Sequence, residues 1–497
     1  MNNTKQISPE DSIDESNLDF SPSSVRKRYN DERIKNWDYV ADQLGTLSKI
    51  RNYYHSRLQE VYKLSIPEGA RILDLGCGNG DLLASLNSSF GIGVDFSGGM
   101  IELARTSHPE LEFYQQDVQT LDLKEKFEYI ILSDLVNDVE DVQTVFEIVK
   151  KHSDSNTRII LNFYSHLWSL PMSLAQGLGW ATRTLPQNWL SVTDVSGLMD
   201  LAGLEPIRTT KEVLWPVRTP FIDSLFNRYL VRLWPLKYLA LTNFMMARVK
   251  PENTQVDESL SVSIVCAARN EEGHIEEIIE RTPELGRYTE LIFVEGNSTD
   301  DTYNKIEKEI AKNPDRDLSL YKQTGTGKGD AVRCGFQHAK GDILMILDAD
   351  MTVPPEDLRR FYNAIASGNG EYINGVRLVY PMEEEAMRFL NILGNKFFSF
   401  AFSWLLGQSI KDCLCGTKVL TRENYLRIAE NRSYFGDFDP FGDFDLIFGA
   451  AKINLKFIDL PIRYKERRYG ETNIDRWSHG WLLLKMVVFA ARRIKFV

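Results

Sequence analysis

Residues 343–351 read ILMILDADM. The five apolar residues Ile343 to Leu347 are too few for a helix of their own and describe a fully buried strand. That strand runs into Asp348-Ala349-Asp350, so two carboxylates leave a sheet edge two residues apart. In open α/β sheets the ligand crevice lies at the carboxyl ends of the strands. Hard divalent cations take oxygen ligands and share them with substrate phosphates. Asp348 and Asp350 are therefore candidate ligands for a hard divalent cation beside a nucleoside diphosphate. A solvated acidic loop after a core strand is the competing reading, and the flanking sequence weighs between the two.

Upstream, an α/β pattern starts at Leu260 with the strand Val262 to Ala268, followed by Arg269-Asn270-Glu271-Glu272. A second strand, Glu290 to Glu295, ends in a carboxylate and leads into Gly296-Asn297-Ser298-Thr299-Asp300-Asp301, rich in N-capping residues. Gly325-Thr326-Gly327-Lys328-Gly329 then places glycines and a lysine before a helix, a cradle suited to phosphate but without Walker A spacing. Downstream lie Asn374-Gly375-Val376-Arg377, Asp412-Cys413-Leu414-Cys415-Gly416-Thr417-Lys418, Gly442-Asp443-Phe444-Asp445 and Arg467-Arg468-Tyr469-Gly470-Glu471-Thr472-Asn473.

This succession resembles the family 2 inverting glycosyltransferases, closest to their dolichyl/polyprenyl phosphate mannosyltransferase-like branch, over about residues 262–497. The resemblance implies a GT-A-type fold with Ala267, Arg269, Glu271 and Glu295 around the nucleoside and Lys328 near the nucleotide. Asp348 and Asp350 would hold Mg²⁺ or Mn²⁺ on the diphosphate, and Arg377 would face the sugar or the acceptor phosphate. For a hydroxyl acceptor a carboxylate must take the proton; Asp445 is the first choice and Asp443 the second. A lipid phosphate is already ionised and needs none. Arg467, Arg468 and Arg476 are the cations left to clamp phosphate, since Asn473 stands where the family motif has lysine. A salt-bridged surface is the plainer account of these arginines.

The first half repeats the architecture with different chemistry. A buried strand from Arg71 to Leu75 runs into Gly76-Cys77-Gly78-Asn79-Gly80, and the next strand ends at Asp95, placed to accept ribose hydroxyls. The spacing GxGxG has no further glycine of the kind that dinucleotide pyrophosphate binding prefers. Over about residues 30–250 the chain resembles the class I S-adenosylmethionine-dependent methyltransferases. This implies Asp74, Gly76, Gly78 and Gly80 near the amino-acid end of S-adenosyl-L-methionine, and Asp95 on the ribose. Asp117 and Val118 would border the adenine, with Ser133 beside the transferred methyl. The histidine that many relatives carry after the fourth strand is missing from Leu135-Val136-Asn137-Asp138-Val139, so the general base is open. A dinucleotide-binding or degenerate Rossmann scaffold is the alternative, because fold does not dictate function.

The expected organisation is α/β with two doubly wound domains. An acidic disordered tail occupies 1–28, a methyltransferase-like domain 29–250, a polar linker 251–260 and a glycosyltransferase domain 261–497 with amphipathic C-terminal helices. A net charge of −12 argues against bulk nucleic-acid binding. Five cysteines, odd in number and mostly in apolar runs, suit a reducing compartment. The N-terminus lacks the apolar core of a signal peptide. No apolar stretch is long enough to span a bilayer, but Phe397–Leu406 and Trp481–Val497 are apolar. The second, with Lys485, Arg492, Arg493 and Lys495, suits an interfacial helix on anionic lipid. Trp234–Val249 reads as core or interdomain packing. These features point to a cytoplasmic enzyme, peripheral on the inner face of the cell membrane, with a nucleoside-diphosphate sugar donor and a lipid-linked or glycan acceptor.

Overall fold

Runs rich in Ile, Val, Leu and Phe form two seven-stranded sheets in the computed structural model. It describes residues 22–44, 49–178, 185–252, 255–377, 379, 389–430, 432, 443–465 and 476–496. The first sheet contains β1 (Arg71–Leu75), β2 (Phe90–Asp95), β3 (Glu112–Gln115), β4 (Tyr129–Ser133), β5 (Arg158–Tyr164), β6 (Leu204–Glu212) and β7 (Thr242–Val249). Its order is β3-β2-β1-β4-β5-β7-β6, with β7 antiparallel to both neighbours. The order reverses between β1 and β4, which opens the ligand crevice above their carboxyl ends.

The second sheet contains β8 (Val262–Ala268), β9 (Thr289–Glu295), β10 (Asp317–Lys322), β11 (Ile343–Asp348), β12 (Tyr372–Val376), β13 (Lys418–Thr421) and β14 (Phe457–Pro461). Its order is β10-β9-β8-β11-β13-β12-β14, with β13 antiparallel to β11 and β12. Here the reversal falls between β8 and β11, so Ala267 and Asp348 pair at the rim of the crevice. Ile343 to Leu347 are buried, as a strand covered on both faces requires.

Two helices precede the first sheet, α1 (Pro22–Gln43) and α2 (Lys49–Ser65). Residues 22–28, expected to belong to a tail, form the first turns of α1; the rest of that expected tail lies outside the described residues. Of the expected linker, the later part packs on the second domain. Asp257 donates its backbone N–H to Ala366 O (3.1 Å), and the Tyr362 hydroxyl donates to Asp257 O (2.7 Å).

The two domains meet through buried polar groups rather than through the linker alone. The fully buried Arg158 donates from Nε to Asn454 O (3.0 Å) and pairs with Glu371 (2.7 Å). Arg248 donates to Gly368 O (2.7 Å) and also pairs with Glu205. Lys452 reaches Leu64 O (2.9 Å) and Asn454 reaches Ser65 O (3.1 Å), both at the end of α2. Leaving any of these charges buried without its partner would be strongly unfavourable, which fixes the docking geometry.

The apolar stretches divide between core and surface. In the helix Phe389–Leu406, Phe402, Leu405 and Leu406 are buried while Leu393, Phe397 and Phe400 are exposed. In the helix Arg476–Ala490, Leu483, Met486 and Ala490 are buried, with Trp481 and Val488 exposed. Trp234–Val249 departs from its expected reading as one packed segment. Thr242–Ala247 are buried in β7, whereas Trp234, Tyr238 and Leu239 are exposed. Among the described residues no helix is long and apolar enough to cross a membrane.

Candidate active sites

In the first crevice β1 delivers Asp74 and the glycine loop, β2 delivers Asp95 and β4 delivers Ser133. Asp74 is 1% exposed, and neither of its carboxylate oxygens has a hydrogen-bond partner. Burial, and then the nearby Asp95 charge, push its pKa up to about 8. Such a group lacks a cation, and the α-ammonium of an amino-acid ligand would supply one. Gly78 has φ +53°, and a Cβ there would meet nothing within 4 Å, leaving its backbone open to a ligand. Its N–H donates to Asp95 Oδ2 (3.0 Å), while Asp95 Oδ1 accepts from Ser97 N (2.9 Å). Burial raises Asp95 to about 6, against the lowering effect of those two N–H groups. The backbone thus fixes the orientation of this carboxylate. Gly76 and Gly80 both adopt positive φ, and Cβ atoms there would strike Leu135 and Phe113.

Asp117 caps the turn Val118–Thr120 and accepts from Asn30 Nδ2 (2.8 Å), while Val118 is buried beside it. Asn30 belongs to α1; helical periodicity is readable from Tyr29 onward, but the place of this helix against the crevice is not. The helix lies across the crevice rim. Arg33 and Trp37 donate to the two oxygens of Asp138 (3.0 and 2.6 Å), and Asp38 accepts from Ser97 Oγ (2.6 Å) and Gly99 N (3.0 Å). Asn30, Arg33, Trp37 and Asp38 share one helical face, a spacing visible in the sequence but without an assigned partner. From α2, the Tyr62 hydroxyl donates to Asn162 (2.7 Å) and that of Tyr54 to Asp134 (2.9 Å). Within Leu135-Val136-Asn137-Asp138-Val139, Asn137 is buried and spent on structure. It donates to Asn188 O (2.9 Å) and accepts from Tyr164 N (3.2 Å).

In the second crevice the DAD carboxylates stand at the end of β11. Asp348 pairs with Lys328 (2.5 Å), brought by the glycine-lysine turn at the start of the helix Lys328–His338. Burial pushes Asp348 up, but Lys328, then Arg377 and Lys418, hold it below the ordinary carboxylate range. Asp350 Oδ1 accepts from Thr352 N (3.2 Å) and Oγ1 (2.7 Å), and Met351, immediately after it, has φ +58°. Gly416 closes the site from the other side. A Cβ there would lie 2.1 Å from Asp348 Oδ2 and 2.2 Å from Lys328 Nζ. Among the described residues no three His, Cys, Asp or Glu side chains form a metal cluster. A cation on Asp348 and Asp350 would therefore complete its shell from diphosphate and water oxygens, as Mg²⁺ commonly does.

The remaining residues expected around the donor take varied roles. Arg269 is exposed and Ala267 half-buried at the end of β8. Glu271 is buried against His274 Nδ1 (2.9 Å), and Glu295 Oε1 accepts from Ser298 N (2.5 Å). Both carboxylates hold the turns that follow β8 and β9. Asn270 links these turns, accepting from Thr299 N (2.8 Å). Arg377 grips the fully buried Asp412 through Nε (2.7 Å) and Nη2 (2.9 Å), and Asn395 donates to the same carboxylate (2.8 Å). Lys418, fully buried, donates to Asn374 Oδ1 (3.1 Å) and to Cys415 O. Asp445 accepts from Arg432 Nε (2.7 Å), so it is ion-paired. Arg467 and Arg468 lie outside the described residues, as do the side chains of Asp443 and Arg476.

A cavity of about 330 Å³ adjoins Arg377, between Val376, Val379 and the helix Phe389–Leu406. Phe400 and Ser403 line it, with Lys396 and Lys411 supplying positive charge.

Comparison with known proteins assigns both halves. Residues 263–427 match Glycosyl transferase family 2, and residues 66–194 match a methyltransferase domain. The chain is a transferase that joins a methyltransferase domain to a family 2 glycosyltransferase domain. Its second half is 28% identical to Glycosyltransferase AglJ of Haloferax volcanii over 225 residues, covering 45% of this chain and 69% of that protein. It is 32% identical to an undecaprenyl-phosphate 4-deoxy-4-formamido-L-arabinose transferase of Pectobacterium carotovorum, covering 43% of this chain and 63% of that protein. A second transferase of that name, from Edwardsiella ictaluri, is 25% identical, with 62% of its length covered. The chain thus spans less than two thirds of these two transferases. Among solved structures, the first half is similar to magnesium protoporphyrin IX methyltransferase of Synechocystis. The identity is 18% and the TM-score 0.32, covering 46% of this chain and 100% of that one.

Proposed function

We propose that the second domain transfers a sugar, with inversion, from a nucleoside-diphosphate donor to a lipid-phosphate acceptor at a membrane surface. The observation that carries this is the Asp348–Lys328 pair at the switch point, closed by Gly416 and followed by Asp350. Lys328 binds a donor phosphate by exchanging part of its bond to Asp348. A divalent cation on Asp348 and Asp350 would neutralise charge developing on the leaving diphosphate. The nearby cavity, apolar on one side with Lys396 and Lys411 on its rim, suits a lipid bearing a phosphate. A lipid phosphate is already a nucleophile, so the ion pairing of Asp445 with Arg432 is no obstacle. For a hydroxyl acceptor that pair must open to free a base. The exposed Leu393, Phe397, Phe400, Trp481 and Val488 support contact with the bilayer.

The first domain, on the same proposal, binds S-adenosyl-L-methionine, with Asp74 on its ammonium and Asp95 on its ribose. It passes the methyl group to a small molecule or to the glycan. A second reading has a specific basis. The segment Leu135–Val139 carries no histidine and its Asn137 is committed to structure, which favours a domain that binds the cofactor without turning it over.

The deciding experiment measures binding and slow hydrolysis across UDP-, GDP- and dTDP-sugars, with Mn²⁺ or EDTA, for wild type and Asp350→Ala. One donor is expected to turn over with metal in the wild type only. The absence of metal-dependent binding to every donor would sink the glycosyltransferase mechanism. Methyl transfer is scored separately with radiolabelled cofactor on the recovered glycolipid.

A further inference from the structure

A partly open cavity of about 70 Å³ lies between the two domains. By the volume that a water-sized group needs, it holds about five such groups, the size of one phosphate. Its walls come from both domains: α2 and β6 on one side, and the ends of the helices Phe389–Leu406 and Asp443–Lys452 with the C-terminal turn on the other.

The lining is charged and unbalanced. Arg208, Arg232, Lys452, Arg493 and Lys495 face it, with Glu212 the one carboxylate among the described lining residues. Glu212 is already bound by the guanidinium fork of Arg232 (Nη2 to Oε2, 2.8 Å) and has Arg57 3.9 Å away. The Arg232 side chain is 9% exposed, and its Nε is buried without a hydrogen-bond partner. The Arg208 side chain has no hydrogen bond or ion pair among the described residues, and its stem lies against Gly407 of the other domain. Lys495 sits over the Trp404 ring, 5.6 Å from its centroid. Burial pushes Lys495 down to about 7 and Arg208 down to about 10, and Arg232 adds to both effects. Such a cluster is unfavourable without a counter-ion, because desolvated like charges repel with little screening.

We propose that this interdomain cavity is an anion site that takes one phosphate group and clamps the two domains together. Arg208 offers a planar donor fork that phosphate oxygens match, Arg232 its unpartnered Nε, and Lys495 a point charge. The shared ligand chemistry has two sources, a soluble phosphate compound or an anionic lipid headgroup. The second is geometrically open because the exposed Phe221, Leu225 and Trp234 flank the same segment as Arg232.

The full-length protein is titrated with inorganic phosphate and pyrophosphate at constant ionic strength in chloride. Binding is read by calorimetry and by the melting temperature. Phosphatidylcholine vesicles with and without phosphatidylglycerol are tested in parallel. Arg208→Gln and Lys495→Gln are compared with Lys340→Gln, an exposed lysine outside the cavity. Wild type and Lys340→Gln are expected to bind phosphate or pyrophosphate at least about tenfold more tightly than either cavity variant, about 1.4 kcal/mol. Without anion, Arg208→Gln should melt no lower than wild type, since it removes an unpartnered buried cation. Should it fail to fold, Lys495→Gln carries the same comparison. Vesicle binding that needs phosphatidylglycerol and is lost in the cavity variants, with no response to free phosphate, would assign the site to a lipid headgroup. No binding of either kind, or binding equal in all variants, overturns the proposal.

Discussion

Gly416→Ala tests the donor site with one methyl group. The new Cβ would stand 2.1 Å from Asp348 Oδ2 and 2.2 Å from Lys328 Nζ, against an ordinary contact of 3.4–4 Å. Both obstacles are the ends of side chains, so the backbone need not move, but the carboxylate and the ammonium must each retreat by roughly 1 Å. A displacement of that size in a binding constellation costs on the order of 10²-fold in rate. The stability cost of local crowding should stay within about 1–3 kcal/mol. Donor hydrolysis and transfer are measured as kcat/KM for the donor found in the panel, with melting temperature alongside. Gly335→Ala is the control, because the nearest obstacle to its Cβ is the side chain of Val265 in the core, at 2.4 Å. The control should lose stability and retain kcat/KM per folded molecule, whereas Gly416→Ala should lose mainly kcat/KM. Wild-type kcat/KM in folded Gly416→Ala would refute the placement of the donor diphosphate at this pair.

Asp74→Asn should weaken S-adenosyl-L-methionine binding by about tenfold or more while leaving the fold intact, as calorimetry and melting curves would show. The same variant carries a pH signature. The Asp74 carboxyl titrates near 8 in the folded chain against about 4 when unfolded, so the folded state holds the extra proton between those values. Stability of the ligand-free protein should therefore fall as pH rises through that window, and Asp74→Asn should flatten the fall. Trp37→Phe deletes the indole donor to Asp138 and should loosen α1. Hydrogen exchange of Pro22–Gln43 should quicken, and cofactor dissociation should accelerate several-fold. Sulfate, which does not titrate near neutrality, should bind the interdomain cavity more weakly as pH rises from about 6 to about 8. Lys495 loses its proton near 7 among Arg208, Arg232, Lys237 and Glu212. The dependence should vanish in Lys495→Gln.

The interdomain interface makes the fusion more than a tether. Arg158, Glu371, Arg248 and Glu205 form a buried ionic network that neither domain completes alone. An isolated domain would present these charges to water, and redocking would require their full desolvation.

The strands and the residues at their ends were legible in the sequence because a buried strand needs only local information. A short apolar run bounded by turn residues gives Ile343–Leu347 and Arg71–Leu75, and the last residue of each run lies at the crevice wherever the sheet order reverses. The motifs around Asp348, Lys328, Asp74 and Gly78 were therefore visible in advance. What those residues touch was not. That Lys328 closes on Asp348 depends on β11 and the helix Lys328–His338 packing side by side. That Arg377 is bound to Asp412, and Asp445 to Arg432, depends on segments 35 and 13 residues apart. The face of α1 carries a readable spacing, but only the folded sheet supplies Asp117, Asp138 and Ser97 as its partners. The interdomain cations are the extreme case. Arg208, Arg232 and Lys495 have no common motif, and they share one cavity only because two independently patterned domains dock. Local periodicity is encoded residue by residue, whereas long-range juxtaposition of charge comes only from tertiary packing.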